Sequence, residues 1–281
     1  MGNIRYPRIT QPQQGVGVDW SHPLAKGLVE AWIPANNLLS RSGSVLFSVQ
    51  ATGVAAQTNG TVYLFRNSVP SLFNLAESSL TAILTPDITW TASVYAACYG
   101  SSASGNPLFM IGQGDTSNQL GFRTRDAANV DVTTAATDAD WAQGKTAIVS
   151  GTRSAIESLQ RVYINGRQIA STAVGTPAAT TFDRFAIGGL LRSTFALGWA
   201  GRTGLVLVHN RALSAAEVRS LYINPWQIFA PVPQNIFVDV AAAGTSAALT
   251  GTVTTATETD IVTGGKTIIL TLTGDTWVTA G

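Results

Sequence analysis

Histidine and cysteine are almost missing: 281 residues contain only His22, His209 and Cys98. A zinc centre that needs several imidazole or thiolate ligands cannot be assembled from so small a set. A lone cysteine also rules out a disulfide within the chain, so cysteine usage does not report the redox compartment. Cys98 stands in the apolar run ASVYAACYG, where a buried, inert thiol is expected. His22 precedes Pro23 in a loop and His209 ends an apolar run, so each is expected to be structural rather than a base or a ligand. Charge is scarce as well, at 12% of residues and a formal net +1. A clustered basic face is not visible, so nucleic acid and other polyanions are not expected partners. No stretch approaches the ~20 consecutive apolar residues of a spanning helix, so membrane insertion is not expected either. The G-x-S-x-G elbow, the G-x-x-x-x-G-K-[ST] loop and the H-E-x-x-H helix are all absent, which removes the common nucleophilic, phosphate-cradling and zinc-hydrolase designs.

What is present is β punctuation. From about Gly27 short apolar runs alternate with turn residues: GLVEAWI (27–33), TVYLF (61–65), ITWTASVYAACY (88–99), PLFMIG (107–112), QLGFRTR (119–125), TAIVSGT (146–152), QRVYING (160–166), RFAIGG (184–189) and GLVLVHN (204–210). This spacing predicts a sandwich or barrel. The nearly continuous apolar runs TAIVSG and GLVLVHN are expected at the centres of sheets covered on both faces. Asn165-Gly166 between β-rich flanks predicts a hairpin over 160–172, because both turn residues tolerate positive φ. One helix announces itself in RALSAAEVRSLYINP. Ser214 and Glu217 form a capping-box pattern, Val218, Leu221 and Tyr222 make a buried stripe, and Pro225 forbids continuation past Asn224.

Several residues could carry chemistry. Jelly rolls can host glycosidases that use paired carboxylates, and the candidates here are Asp138/Asp140 and Glu258/Asp260. Both pairs fall in polar segments rather than on cleft-lining strands, so hydrolysis is not expected. The loop GQGDTSNQ brings Asp115 and Asn118 together as a weak calcium candidate, although turn chemistry explains the same residues. Most of the tryptophans stand in or beside apolar runs, so core packing is expected ahead of a sugar-stacking platform.

The composite of GLVEAWIP, TWTASVYAAC, QRVYINGRQIA, RFAIGG and GWAGRTGLVLVHNRALSAAEVRSLY resembles the laminin-G-like, concanavalin A-like jelly roll. The most specific block runs from Gly201 to Tyr222. The resemblance implies an all-β, two-sheet antiparallel sandwich with one short terminal helix packed on its edge. It divides the chain into an extended N-terminal arm (1–19), the jelly roll (20–230), a linker (231–243) and a partial β module (244–281) that would continue past Gly281. The ending LYINPWQIFAP and the start GVGVDWSHPLAKGL resemble the form of this domain carried by virion proteins of tailed bacteriophages and prophages. That likeness implies a non-enzymatic structural protein of the particle, made in the bacterial cytoplasm. It would act in capsid decoration or in a tail, fibre or spike, docking on other virion proteins and on copies of itself. The alternative is a host-surface glycan-binding module. No cofactor is implied beyond a possible calcium ion, and Ile33-Pro34-Ala35-Asn36-Asn37 and Arg202-Thr203-Gly204 stand where many relatives carry acidic residues.

Overall fold

A computed structural model describes residues 16–33, 64–67, 72–88, 94–103, 107–114, 118–192 and 194–231, the short pieces 39–40, 56–59, 236–237 and 269–270, and residues 69 and 116 singly. The chain divides into two compact units, Met1–Pro231 and Val232–Gly281.

The first unit holds β1 (Val16–Val18), β2 (Leu28–Trp32), β3 (Leu39–Ser40), β4 (Ala56–Asn59) and β5 (Leu64–Arg66). It continues with β6 (Glu77–Pro86), β7 (Val94–Gly100), β8 (Leu108–Gln113), β9 (Gln119–Arg125) and β10 (Asp131–Thr137). Next come β11 (Ala147–Ser154), β12 (Leu159–Ile164), β13 (Arg167–Ala173) and β14 (Arg184–Ile187). The unit closes with β15 (Leu190–Leu191), β16 (Phe195–Ala196), β17 (Ala200–His209), helix α1 (Ala215–Ile223) and β18 (Phe229–Pro231). An eight-stranded sheet has the order β13-β12-β11-β6-β17-β2-β3, with β4 also on β17, and faces a six-stranded sheet ordered β10-β9-β8-β7-β14-β5. Every pairing is antiparallel, as a sandwich of this class requires. The central strands of the larger sheet include β11 and β17, where the apolar runs TAIVSG and GLVLVHN had to be covered on both faces.

The register sorts side chains by face, since neighbours along a strand alternate. On β11, Val149 lies opposite Ala82 and Ile164 and points between the sheets, whereas Ser150 lies opposite Thr81 and Tyr163 and points outward. The core between the sheets gathers Trp32, Tyr99, Phe109, Phe122, Trp141, Phe185 and Trp199, all almost fully buried. Phe109 and Phe122 meet edge to face at 5.4 Å, and Trp141 stacks on Trp199 at 5.8 Å. Gly151 is required here by a close approach: a Cβ on it would fall 2.2 Å from the Phe122 ring. A carboxylate also lies in this core, where the Tyr99 hydroxyl of one sheet donates to Glu30 of the other.

The hairpin expected at 160–172 is β12–β13. Asn165 (φ 49°) and Gly166 (φ 75°) both take the left-handed conformation that a two-residue primed turn demands. Helix α1 has the full capping box, with the Ser214 hydroxyl accepting from the Glu217 amide and the Glu217 carboxylate accepting from the Ser214 amide at 2.9 Å. Val218 and Leu221 are buried and Tyr222 is half-buried. The helix packs on the outer face of the larger sheet and reaches its edge, where Arg219 and Tyr222 lie against Gly166 of the β12–β13 turn. Its apolar stripe joins Leu28, Ala31, Tyr163, Leu205 and Leu207 in a second core. That stripe finds its widest apolar partner on the sheet face, while the β13 edge is exposed and polar.

The segment expected as an arm is partly structural. Val16–Val18 pairs with Phe229–Pro231, and Val16 is buried in the second core. The apolar Val-x-Val pattern gives β1 one face to bury. In the second unit, Ile236–Phe237 pairs with Ile269–Leu270, so part of the expected linker is strand. Among the described residues no helix is long and apolar enough to cross a membrane.

Candidate functional site

The two sheets differ in what covers their outer faces. Over the larger sheet lie β1, the 23–25 turn, α1 and β18, contributing Val16, Leu24, Val218, Leu221, Ile228 and Phe229 to the second core. Several polar side chains of that face find partners in the chain above them or on the neighbouring strand. The Ser79 hydroxyl donates to the Arg211 carbonyl at 2.9 Å and accepts from the Leu213 amide at 2.8 Å, and Thr81 and Ser150 pair at 2.8 Å. His209 Nε2 donates to the Leu24 carbonyl at 2.9 Å, and burial holds its pKa down at about 4.

The described residues cover the smaller sheet only in part. Its outward positions run in register across the strands: Asp131, Arg125 and Leu108 in one row, then Thr133, Arg123, Met110 and Cys98 in the next. The short hairpin β15–β16 covers the β7 side, where Leu190 and Leu197 pack on Tyr95, Cys98, Leu108 and Met110. Two features seat that hairpin. The Tyr95 amide donates to the Leu197 carbonyl at 3.2 Å, and Gly100 leaves space that a Cβ would fill at 2.6 Å from the Leu191 carbonyl and 3.4 Å from Arg192 Cγ. Leu197 takes φ 51°, a conformation that costs a bulky residue energy and that the packed surroundings must enforce.

This arrangement brings three guanidinium groups together. Arg123 Nε donates to Asp131 Oδ1 at 2.9 Å while its terminal nitrogen bonds Oδ2, a two-pronged pairing. Arg125 lies 3.6 Å from the same carboxylate. Their side chains are 26% and 16% exposed, so both are only partly wet. Bonding to Asp131 raises the pKa of Arg123, and the neighbouring Tyr95 acts in the same direction. Arg125 is pushed the other way. Burial is the main cause, and the neighbouring charges of Arg123 and Arg192 add to it against the pull of Asp131. The expectation that no basic cluster exists holds for the sequence as a string and fails for this face, because residues 123, 125 and 192 meet only through strand alternation and a returning hairpin.

The residues singled out from sequence fare unevenly. Asp115 lies outside the described residues. Asn118 is an exposed turn residue at φ 56° whose carbonyl accepts the Asp138 amide at 3.1 Å. Among the described residues no group of three or more His, Cys, Asp and Glu gathers to hold a metal ion. Asp138 and Asp140 sit in the turn before the buried Trp141, and Arg167 pairs with them at 2.8 and 3.9 Å. Partial burial would raise the pKa of Asp138, but the Asp140 amide and Arg167 outweigh it and hold the carboxyl low. Glu258 and Asp260 lie outside the described residues. Cys98 is buried, and burial raises its pKa well above the ordinary thiol value. Of the tryptophans, Trp32, Trp141, Trp199 and Trp226 are buried and Trp20 is 41% exposed, while Trp90 and Trp277 lie outside the described residues.

Comparison with known proteins places this architecture. No curated protein matches the chain. Among solved structures it resembles NanB sialidase from Streptococcus pneumoniae, with a TM-score of 0.51 and 18% identity over 67% of this chain, which spans 29% of the sialidase's own length. It also resembles the CBM40 of the Ruminococcus gnavus IT-sialidase, solved bound to α2,6 sialyllactose. There the TM-score is 0.51 and the identity 17%, over 64% of this chain and 100% of the module. At such identities the likeness is one of fold. The sequence itself matches the Laminin_G_3 family over residues 57–219, more than half of its length, and the chain belongs to that family of the concanavalin A-like lectin/glucanases superfamily.

Proposed function

We propose that the chain is a non-catalytic carbohydrate-recognition domain that presents the outer face of its six-stranded sheet to a glycan. One observation carries this reading: of two outer sheet faces, one is sealed by apolar packing and the other, among the described residues, is left partly open with polar and charged side chains across it. A surface that folding does not need to cover is where a lectin-family fold can place recognition, because function resides in the site grafted on the fold. The CBM40 of similar fold was solved with a sialylated sugar in place, which supports the same reading by analogy. Hydrolysis forms no part of it: Asp138 and Asp140 belong to a surface turn and share Arg167 rather than facing each other across a groove. The full chain on a glycan array is expected to retain a defined subset of glycans, with loss of signal when Arg123 is replaced by Ala. An array without hits, repeated by calorimetry at millimolar sugar, would overturn the proposal.

As to where such a domain works, we propose a tailed-phage particle, made in the bacterial cytoplasm, in which residues outside the sandwich dock on other virion proteins or on copies of the chain. The support is the resemblance of the start GVGVDWSHPLAKGL and the ending LYINPWQIFAP to virion proteins. Mass spectrometry of purified particles tests this, and absence of the chain from them would dispose of it.

A further inference from the structure

The cover over the larger sheet stops short of its polar β13 edge. There the start of α1 and the outward side chains of β12 and β13 line a cleft of about 350 Å³, within the size range of small-molecule sites. Register explains its floor. Arg161 lies opposite Thr152 and Tyr163 opposite Ser150, so all four point outward, and Gln168 of β13 lies opposite Tyr163. Ala212, Leu213 and Ala215 add an apolar lining, and Glu157 of the turn between β11 and β12 adds a carboxylate.

Folding does not use up the polar groups of this floor. Gln168 is exposed, and its side-chain amide makes no hydrogen bond among the described residues. Tyr163 is 2% exposed yet lines the cleft, and burial raises its pKa, so the phenol keeps its proton and can donate it. Beside it Thr152 Oγ1 is fully buried and has no partner at hydrogen-bond distance among the described residues. A buried hydroxyl left short in this way marks a place that folding alone does not complete. Charge, by contrast, is balanced pair by pair. Arg161 engages one oxygen of Glu157, and Arg211 engages Glu217, whose carboxylate also accepts from the Ser214 amide and hydroxyl. An anion entering here would meet two carboxylates, and a cation two guanidinium groups.

We infer that this cleft binds a neutral polyhydroxylated ligand, one uncharged sugar unit, with Gln168, Tyr163, Arg161 and Glu157 on its hydroxyls and Leu213 and Ala215 against its C–H face. Each sugar hydroxyl both gives and takes hydrogen bonds, which a set of donors, an acceptor and an amide that does both can match. The site is separate from the open face of the smaller sheet and does not rest on the reading of that face. Because its charges are already neutralised, binding is insensitive to salt.

The test titrates the full 15N-labelled chain with the methyl glycosides of glucose, galactose, mannose and N-acetylglucosamine, and with methyl glucuronide as the charged counterpart, following the backbone amides. At least one neutral glycoside is expected to shift the amides of 161–168 and 212–217 together at millimolar concentration, and the glucuronide to bind more weakly than that glycoside. Gln168→Ala and Tyr163→Phe are each expected to weaken binding about three- to tenfold, the loss of one hydrogen bond. Gln168 is exposed, so its variant carries the test even if Tyr163→Phe lowers the melting temperature. Shifts that Gln168→Ala leaves undiminished, or a glucuronide that binds as tightly as the best neutral glycoside, overturn the inference. Shifts confined to β9 and β10 overturn it too and leave the reading of the smaller sheet intact, and silence from every neutral glycoside overturns it outright.

Discussion

The two outer sheet faces of the sandwich are built from the same alternating strand chemistry and end differently. On the larger sheet the outward side chains include Leu205, Leu207 and Tyr163, and the chain returns twice to bury them, first with β1 and later with α1 and β18. On the smaller sheet the outward rows offer Arg123, Arg125, Asp131 and Thr133, and among the described residues a short hairpin is what crosses them. The lesson is that one alternating pattern yields a face that must be sealed and a face that need not be. Apolar area that must leave water attracts cover, and a charged face that water already solvates does not.

That division can be broken most severely from the sealed side. Leu221→Ala should cost about 2–5 kcal/mol through lost burial and a residual cavity, measured by urea unfolding, whereas an unchanged midpoint would show that α1 contributes little to the second core. Acid should loosen the same face. His209 is neutral when folded, with its pKa lowered to about 4, so the unfolded chain takes up a proton that the folded chain refuses. Stability is therefore full above the ordinary histidine pKa near 6.5 and falls as pH drops from there towards about 4. A melting temperature that stays flat over this window, or a fall that persists in His209→Gln, would contradict the assignment. Ser79→Ala strands the Leu213 amide without its acceptor and should cost about 1–3 kcal/mol by the same unfolding assay. On the open side Arg192→Ala should change stability by no more than about 0.5 kcal/mol, because residue 192 is only half-buried and lies outside the two sealed cores. A large loss there would mean that the arginines are structural and that the contrast between the faces is false.

Much of this was legible from residues. Asn165-Gly166 fixed its hairpin, Ser214 and Glu217 fixed the start of α1, and the apolar runs of β11 and β17 demanded central places. Among the long strands, two escaped notice for physical reasons. Glu77–Pro86 begins with Glu-Ser-Ser, and its serines and Thr81 are buried by partners distant in sequence, so its polarity hid a central strand. Asp131–Thr137 is an edge strand of Thr and Ala with little to bury, so no hydrophobic signal marked it. The arginine cluster was invisible for another reason. Residue 192 joins 123 and 125 only because the chain returns over β7, and no local pattern encodes that return. Reading QLGFRTR by strand alternation would have shown that Arg123 and Arg125 share a face, which was the one available clue.

The pairing of β1 with β18, Val16 opposite Pro231, means that the polypeptide enters and leaves the sandwich at one spot. A body with adjoining entrance and exit can be spliced into a surface loop of an unrelated protein without prying that loop apart. Such a body has the geometry of an insertable cassette, its two ends already side by side.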